Sequence, residues 1–245
     1  MPPPGVIRRS TARGERAITE NLLIARLPAA ERKRLLADAT PVQLGLGNVL
    51  CEAGEVTRHV YFPTESFISL VTRIEGEPGL EVGMVGREGM LGAQLVLGVN
   101  TTPLHALVQG PGAAWRIDAA SFRRELARGK VLDGILKRYI QVLMGQLATS
   151  AACTRFHQVG PRLARWLLMS QDRASSSSFH LTHEFLAYML GVRRVGITAA
   201  AGDLQRRGLI RYQRGAVTVL NRRGLEAAAC GCYAADRRGY ARLLP

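Results

Sequence analysis

The chain has 245 residues and carries 33 basic against 19 acidic side chains, a formal net charge of +14. Hydrophobic residues make up 47% and charged residues 21%, which is a globular composition and excludes an intrinsically disordered protein. No run approaches about 18 consecutive apolar residues, so a membrane-spanning helix is excluded. The Pro-rich start, Met1-Pro2-Pro3-Pro4-Gly5, lacks the apolar core of a secretory signal and predicts a cytoplasmic protein. Four dispersed cysteines make no disulfide framework.

The charge is unevenly placed. Residues 1–39 carry a net +4, residues 40–115 a net −4, residues 116–192 a net +6 and residues 193–245 a net +8. An acidic middle joined to a basic last third points to one module that meets a polyanion and another with a different task.

In chain order, residues 1–17 lack hydrophobic periodicity and predict a disordered arm. Leu22, Leu23, Leu27, Leu35 and Leu36 then recur at helical spacing broken at Pro28, which predicts two short helices. From Pro41 to Ile117 short apolar runs (Val60–Phe62, Phe67–Val71, Leu80–Val85, Ala106–Val108, Ala114–Ile117) alternate with glycine-bearing turns. This texture predicts an all-β sandwich or barrel over residues 18–120. After residue 121 the period changes to 3.6. Val131, Ile135, Tyr139 and Val142, beside Leu132, Leu136, Leu143 and Leu147, sustain an apolar stripe to about residue 156. That stripe corresponds to roughly 40 Å of helix, and residues 121–158 are read as one long helix. A small barrel offers too little surface to cover it, which predicts a homodimer built on this helix.

Residues 159–228 form the basic module. Arg162–Asp172 reads as a short helix, and the serines of Ser175–Ser178 as a flexible connection. Thr182 stands where an N-cap belongs and Gly191 where a left-handed C-cap belongs, so Leu181–Gly191 reads as one helix. A second helix begins near Val195 and ends near Gly208, preceded by Arg193-Arg194. Two helices on a tight turn, the second opening with arginines, predict a helix-turn-helix whose leading end enters the major groove of double-stranded DNA. Arginine can pair bidentately with guanine or grip phosphate there. Leu209–Tyr212 and Val217–Leu220 flank Gln213–Ala216 as a hairpin wing. The expected DNA contacts are Thr182, His183, Arg193, Arg194, Thr198, Arg206, Arg207, Arg211 and Arg214. Residues 229–245 are read as a tail.

This order of parts resembles the Crp/Fnr family of bacterial transcription regulators. Asn21-Leu22-Leu23 with Leu27-Pro28, the Gly47–Gly54 stretch followed by Val60-Tyr61-Phe62, Arg162–Leu168 and Leu181–Ile210 carry the resemblance, which covers about residues 20–225. It implies an α+β chain: an N-terminal jelly-roll β-barrel of the cyclic-nucleotide-binding type, a long dimerisation helix and a C-terminal winged helix-turn-helix. It also implies a symmetric dimer on a pseudo-palindromic operator, with RNA polymerase as a further partner. The sequence departs from the family pattern at three places. Ala93 stands where a ribose-binding glutamate is expected, and Pro103-Leu104 where a phosphate-binding Arg-Ser pair is expected. A phosphate without a compensating cation is costly to desolvate, so cyclic AMP or GMP is not the expected effector. Arg194-Val195 replaces the family's Arg-Glu pair, and Ala199 its later arginine, so the operator should differ from the family's common half-site.

Effector-pocket candidates are Arg87, Gly89, Met90, Leu91 and Gly92, with Thr149 and Ser150 from the long helix. No cofactor or metal is expected. Cys51, Cys153, Cys230 and Cys232 are dispersed and no cysteine precedes Cys51, so the family's N-terminal iron–sulfur cluster is absent. Cys230-Gly231-Cys232 is read as part of the tail, and His59 and His105 as packing or surface residues. A cupin-type metalloenzyme on the same barrel is disfavoured, because no His-x-His occurs. No Gly-x-Ser-x-Gly elbow or P-loop is present either, so no enzymatic activity is expected. A regulator whose barrel serves only as a dimerisation scaffold, without a ligand, remains the alternative.

Overall fold

The computed structural model describes residues 20–75, 79–174, 178–213 and 215–244. The predicted arm, residues 1–17, lies outside them, as do Ser175–Ser177 and Arg214. Two short helices open the fold, α1 (Leu22–Ala25) and α2 (Ala29–Ala37), separated at Pro28 as the sequence predicts. Asn21 anchors them. Its side-chain oxygen caps the amides of Leu23 and Ile24, while its amide nitrogen donates to the carbonyls of Pro63 and Gly89, both at 2.9 Å. One fully buried residue therefore ends a helix and fastens it to the sheets.

Seven strands follow: β1 (Ala39–Leu44), β2 (Val49–Cys51), β3 (His59–Pro63), β4 (Phe67–Thr72), β5 (Leu80–Val85), β6 (His105–Gly110) and β7 (Gly112–Asp118). They form two antiparallel sheets in the orders β1-β7-β3 and β2-β6-β4-β5. The sheets stay open, so the domain is jelly-roll-like rather than a closed barrel. β1 and β2 escape the apolar-run reading because only Leu44 of β1 is buried and no residue of β2 is.

β4 shows why its sequence is a continuous apolar run. Ile68 and Leu70 join the cluster between the sheets, whereas Val71 joins the cluster under the C-terminal module. A strand covered on both faces has no polar side to alternate with.

The predicted single helix after residue 121 is two. α3 (Ala119–Arg128) and α4 (Lys130–Phe156) are divided at Gly129. Glu31 of α2 accepts from the Leu132 amide at 3.1 Å, and a Cβ on Gly129 would lie 2.8 Å from that carboxylate. The break thus seats a cap borrowed from another helix. Beyond it, Leu132, Ile135, Leu136, Tyr139, Val142, Gln146, Ser150 and Cys153 bury one face of α4.

The C-terminal module comprises α5 (Val159–Arg173), β8 (Ser178–His180), α6 (His183–Leu190), α7 (Arg194–Arg206), β9 (Ile210–Gln213), β10 (Ala216–Val219) and α8 (Arg222–Ala228). Gly160-Pro161 lies inside the first turn of α5, where proline is tolerated. β8 pairs with β10, so the wing is three-stranded, ordered β8-β10-β9. The stretch read as tail holds a ninth helix, α9 (Cys232–Leu243), which packs along α4 and α5. Arg26 donates to the Leu244 carbonyl at 2.9 Å, tying the end of α9 back to α1.

Candidate nucleic-acid interface

The helix-turn-helix is built as its sequence prescribes. Thr182 caps α6 through its hydroxyl, which accepts from the Phe185 amide at 3.0 Å, and Gly191 ends it at φ +60°. Leu186, Met189 and Leu190 of α6 pack with Ile197, Ala201 and Leu204 of α7 in one buried cluster. The burial of Ile197, Ala200, Ala201 and Leu204 turns the opposite side of α7 to solvent. That side carries Arg194, Val195, Thr198 and Ala199, all exposed, with Arg193 exposed at the N-cap. Among the described residues, neither the Arg193 nor the Arg194 guanidinium makes a hydrogen bond or an ion pair.

A polar network fixes the approach to this face. Thr198 Oγ1 donates to the Arg194 carbonyl at 3.1 Å and lies 3.0 Å from His183 Nδ1. The hydroxyl has one proton, spent on the carbonyl, so His183 donates from Nδ1. The His183 ring stacks on Tyr212 of the wing with centroids 4.5 Å apart, and Tyr212 in turn donates to the Leu181 carbonyl at 2.6 Å. Burial, and then the nearby Arg194 cation, hold His183 below the usual histidine range. It is therefore neutral at pH 7, and positive charge on this face comes from arginines.

Arg206 and Arg207 both pair with Asp203, at 3.2 and 3.3 Å. All three side chains are substantially exposed, so these pairs contribute little and exchange readily for phosphate. Arg211 is exposed on β9, and Arg214 lies outside the described residues. Thr182, His183, Arg193, Arg194, Thr198, Arg206, Arg207 and Arg211 thus belong to one module, on α6, α7 and the wing. Val195, 72% exposed, is an addition to the predicted set. A valine on the solvent side of an otherwise amphipathic helix is the signal that would have found it.

The effector candidates do not come together. Arg87 lines a cavity of about 330 Å³ between α1, α5 and α9, with Glu88, Arg173 and Tyr240. Leu91 and Gly92 line a separate cavity of about 130 Å³ with Cys51, His59 and Thr102. Gly89 and Met90 are structural. The Tyr139 hydroxyl donates to the Met90 carbonyl at 3.2 Å and would lie 2.4 Å from a Cβ on Gly89. Thr149 and Ser150 face α5 and α9, where Ser150 accepts from Arg165 at 3.3 Å. From α4, Gln146 reaches β5, where it accepts from the Met84 amide at 3.1 Å. His105 is buried with Nδ1 2.7 Å from Glu52, in a charged network separate from His59.

A two-sheet domain, a long helix and a winged helix-turn-helix thus follow one another along the chain. Residues 161–228 match the Crp-like helix-turn-helix domain. The chain is similar to a protein described as a transcriptional regulator of the Crp/Fnr family from Eubacterium rectale, at 15% identity and a TM-score of 0.66, covering 85% of this chain and 99% of that one. It is also similar to FixK2 of Bradyrhizobium japonicum, at 12% identity and a TM-score of 0.63, covering 78% and 98%. A third similarity is to the c-di-GMP responsive global regulator CLP of Xanthomonas campestris, at 14% identity and a TM-score of 0.60, covering 78% and 99%. No curated protein sequence matches the chain. The C-terminal module is a Crp-like helix-turn-helix domain, and the chain as a whole has the fold of the Crp/Fnr transcriptional regulators. No described helix is long and apolar enough to cross a membrane.

Proposed function

We propose that the protein is a homodimeric, sequence-specific DNA-binding transcription regulator that responds to an effector other than cyclic AMP or GMP. The carrying observation is the leading turn of α7, where the exposed Arg193 and Arg194, without hydrogen-bond or ion-pair partners among the described residues, precede a solvent-facing valine. Free arginines at that position suit guanine O6 and N7 or phosphate, while an exposed Val195 suits a thymine methyl. A cytosine-reading carboxylate is missing from the same position. Ala93 supports the effector reading, because it is 6% exposed and offers an apolar methyl where a ribose would need an acceptor. Of the effector candidates, Arg87 is the one that lines a cavity, of about 330 Å³, of the size usual for small-molecule sites.

Binding of the purified protein to genomic promoter fragments across a salt series tests this. Specific complexes with a steep negative slope of log affinity against log salt are expected. Arg194→Ala should weaken specific binding by about 1–3 kcal/mol and relax one base position in each half-site. Equal affinity for all fragments in wild type and variant would refute sequence-specific readout through α7.

A further inference from the structure

The four residues that sequence spacing keeps apart, Cys153, His157, Cys230 and Cys232, converge at the junction between α4 and the C-terminal module. One ligand-capable atom from each lies within 4.8 Å of the others. Two elements bring them together. Cys153 lies in the last turn of α4 and His157 is the residue that caps its C-terminus. Cys230 and Cys232 flank Gly231 at the start of α9. Cys153 Sγ is 3.5 Å from Cys230 Sγ, and Cys232 Sγ is 3.6 Å from His157 Nδ1. A tetrahedral ion with zinc–sulfur bonds of about 2.3 Å sets its sulfurs roughly 3.7 Å apart. The observed pairs are thus close to what one ion requires.

We propose that Cys153, His157, Cys230 and Cys232 form a structural site for a single zinc(II) ion. Three sulfurs and one imidazole suit a borderline-soft divalent cation, and four protein ligands leave no open coordination position. Cys153 and Cys230 are buried, whereas Cys232 and His157 are half-buried, which leaves an entry path. Three thiolates around a divalent ion leave one net negative charge. Arg165, which also pairs with Asp236 at 2.7 Å, and Arg162 both lie close enough to the thiols to offset it. In the metal-free arrangement the Cys153 and Cys230 sulfurs share a proton in a hydrogen bond. An ion would take the place of that shared proton. It would clamp α9 to the end of α4, where the DNA-binding module begins.

Full-length protein purified without chelators from zinc-supplemented cells is the material for the test. Elemental mass spectrometry should find one zinc per chain. Exchange into cobalt(II) should give the visible bands of a tetrahedral ion and thiolate-to-metal charge transfer. Cys232→Ser, at a half-buried position, should keep the circular dichroism of the wild type while weakening zinc binding at least about 100-fold in competition with a chromophoric chelator. Folded wild-type protein that stays free of metal after zinc loading would overturn the proposal. So would a Cys153–Cys230 disulfide in place of bound metal, or undiminished zinc affinity in both Cys232→Ser and His157→Ala.

Discussion

Glu81 is the side chain at which the two halves of the molecule are chemically most sensitive to each other. It sits on β5, yet it accepts from Trp166 of α5 at 2.9 Å, and the Ser69 hydroxyl of β4 donates to its other oxygen. Burial pushes its carboxyl up to about 7 against these two donors and the Arg173 and Arg165 cations. The sign follows from linkage. Below an ordinary carboxylate pKa, near 4.5, Glu81 is protonated in both states and contributes nothing to the pH dependence. As pH rises from there to about 7 the unfolded chain ionises first, so the fold loses stability, and the loss levels off above pH 7. The full span amounts to at most about 3 kcal/mol. Glu81→Gln keeps one accepting oxygen, for Trp166, and a neutral side chain, and its amide nitrogen can donate to the Ser69 hydroxyl in place of the second acceptance. Urea unfolding at pH 5 and pH 8 should show wild type losing about 2–3 kcal/mol relative to the variant between the two. A difference that does not change with pH would show that Glu81 ionises normally.

At the scale of elements, α7 carries a cost that its packing does not demand. Gly196 and Gly202 lie inside it, and each lowers helix stability by about 1 kcal/mol relative to alanine. A Cβ on Gly196 would meet Val159 at 3.7 Å, an ordinary contact, and neither glycine adopts a left-handed backbone. Gly196→Ala should therefore stabilise the protein by about 1 kcal/mol in denaturant unfolding. An unchanged or lower midpoint would mean that the helix moves against α5 in a way the present packing does not show. The same elements show what the sequence discloses. The α6 caps, the α7 arginines and the wing rest on local signals such as Thr182, Gly191 and the turn before Ala216, so they were legible from residues alone. β1 and β2 were not, because they have almost no buried face to produce alternation. Gly129 gives no such local signal, because a carboxylate from a distant helix, Glu31, makes the break there. The cysteine cluster was invisible because its two halves, 77 residues apart between Cys153 and Cys230, meet only when α9 folds back on α4.

For the molecule as a whole, α9 changes the argument for self-association without removing it. A helix as long as α4 needed cover, and α9 supplies part of it from the same chain. What remains open is a second face carrying Gln141, Met144, Gly145, Ala148, Ala151 and Ala152, all exposed, with Met144 at 58%. Small residues along such a face allow two helices to approach closely, and Met144 is an apolar residue that a partner copy would bury. A twofold pairing there would present two α7 helices to one duplex, as a palindromic operator requires. Met144→Glu combined with Ala148→Glu keeps helix propensity but sets like charges against each other across that axis. Sedimentation velocity should show wild type as a dimer and the double variant as a monomer with unchanged circular dichroism. Affinity for a full operator should fall at least about 100-fold, since the second half-site contact is no longer intramolecular, while binding to a single half-site should be unaffected. If the variant sediments as a dimer, α4 is not the seam, and the exposed face of that helix must serve another contact.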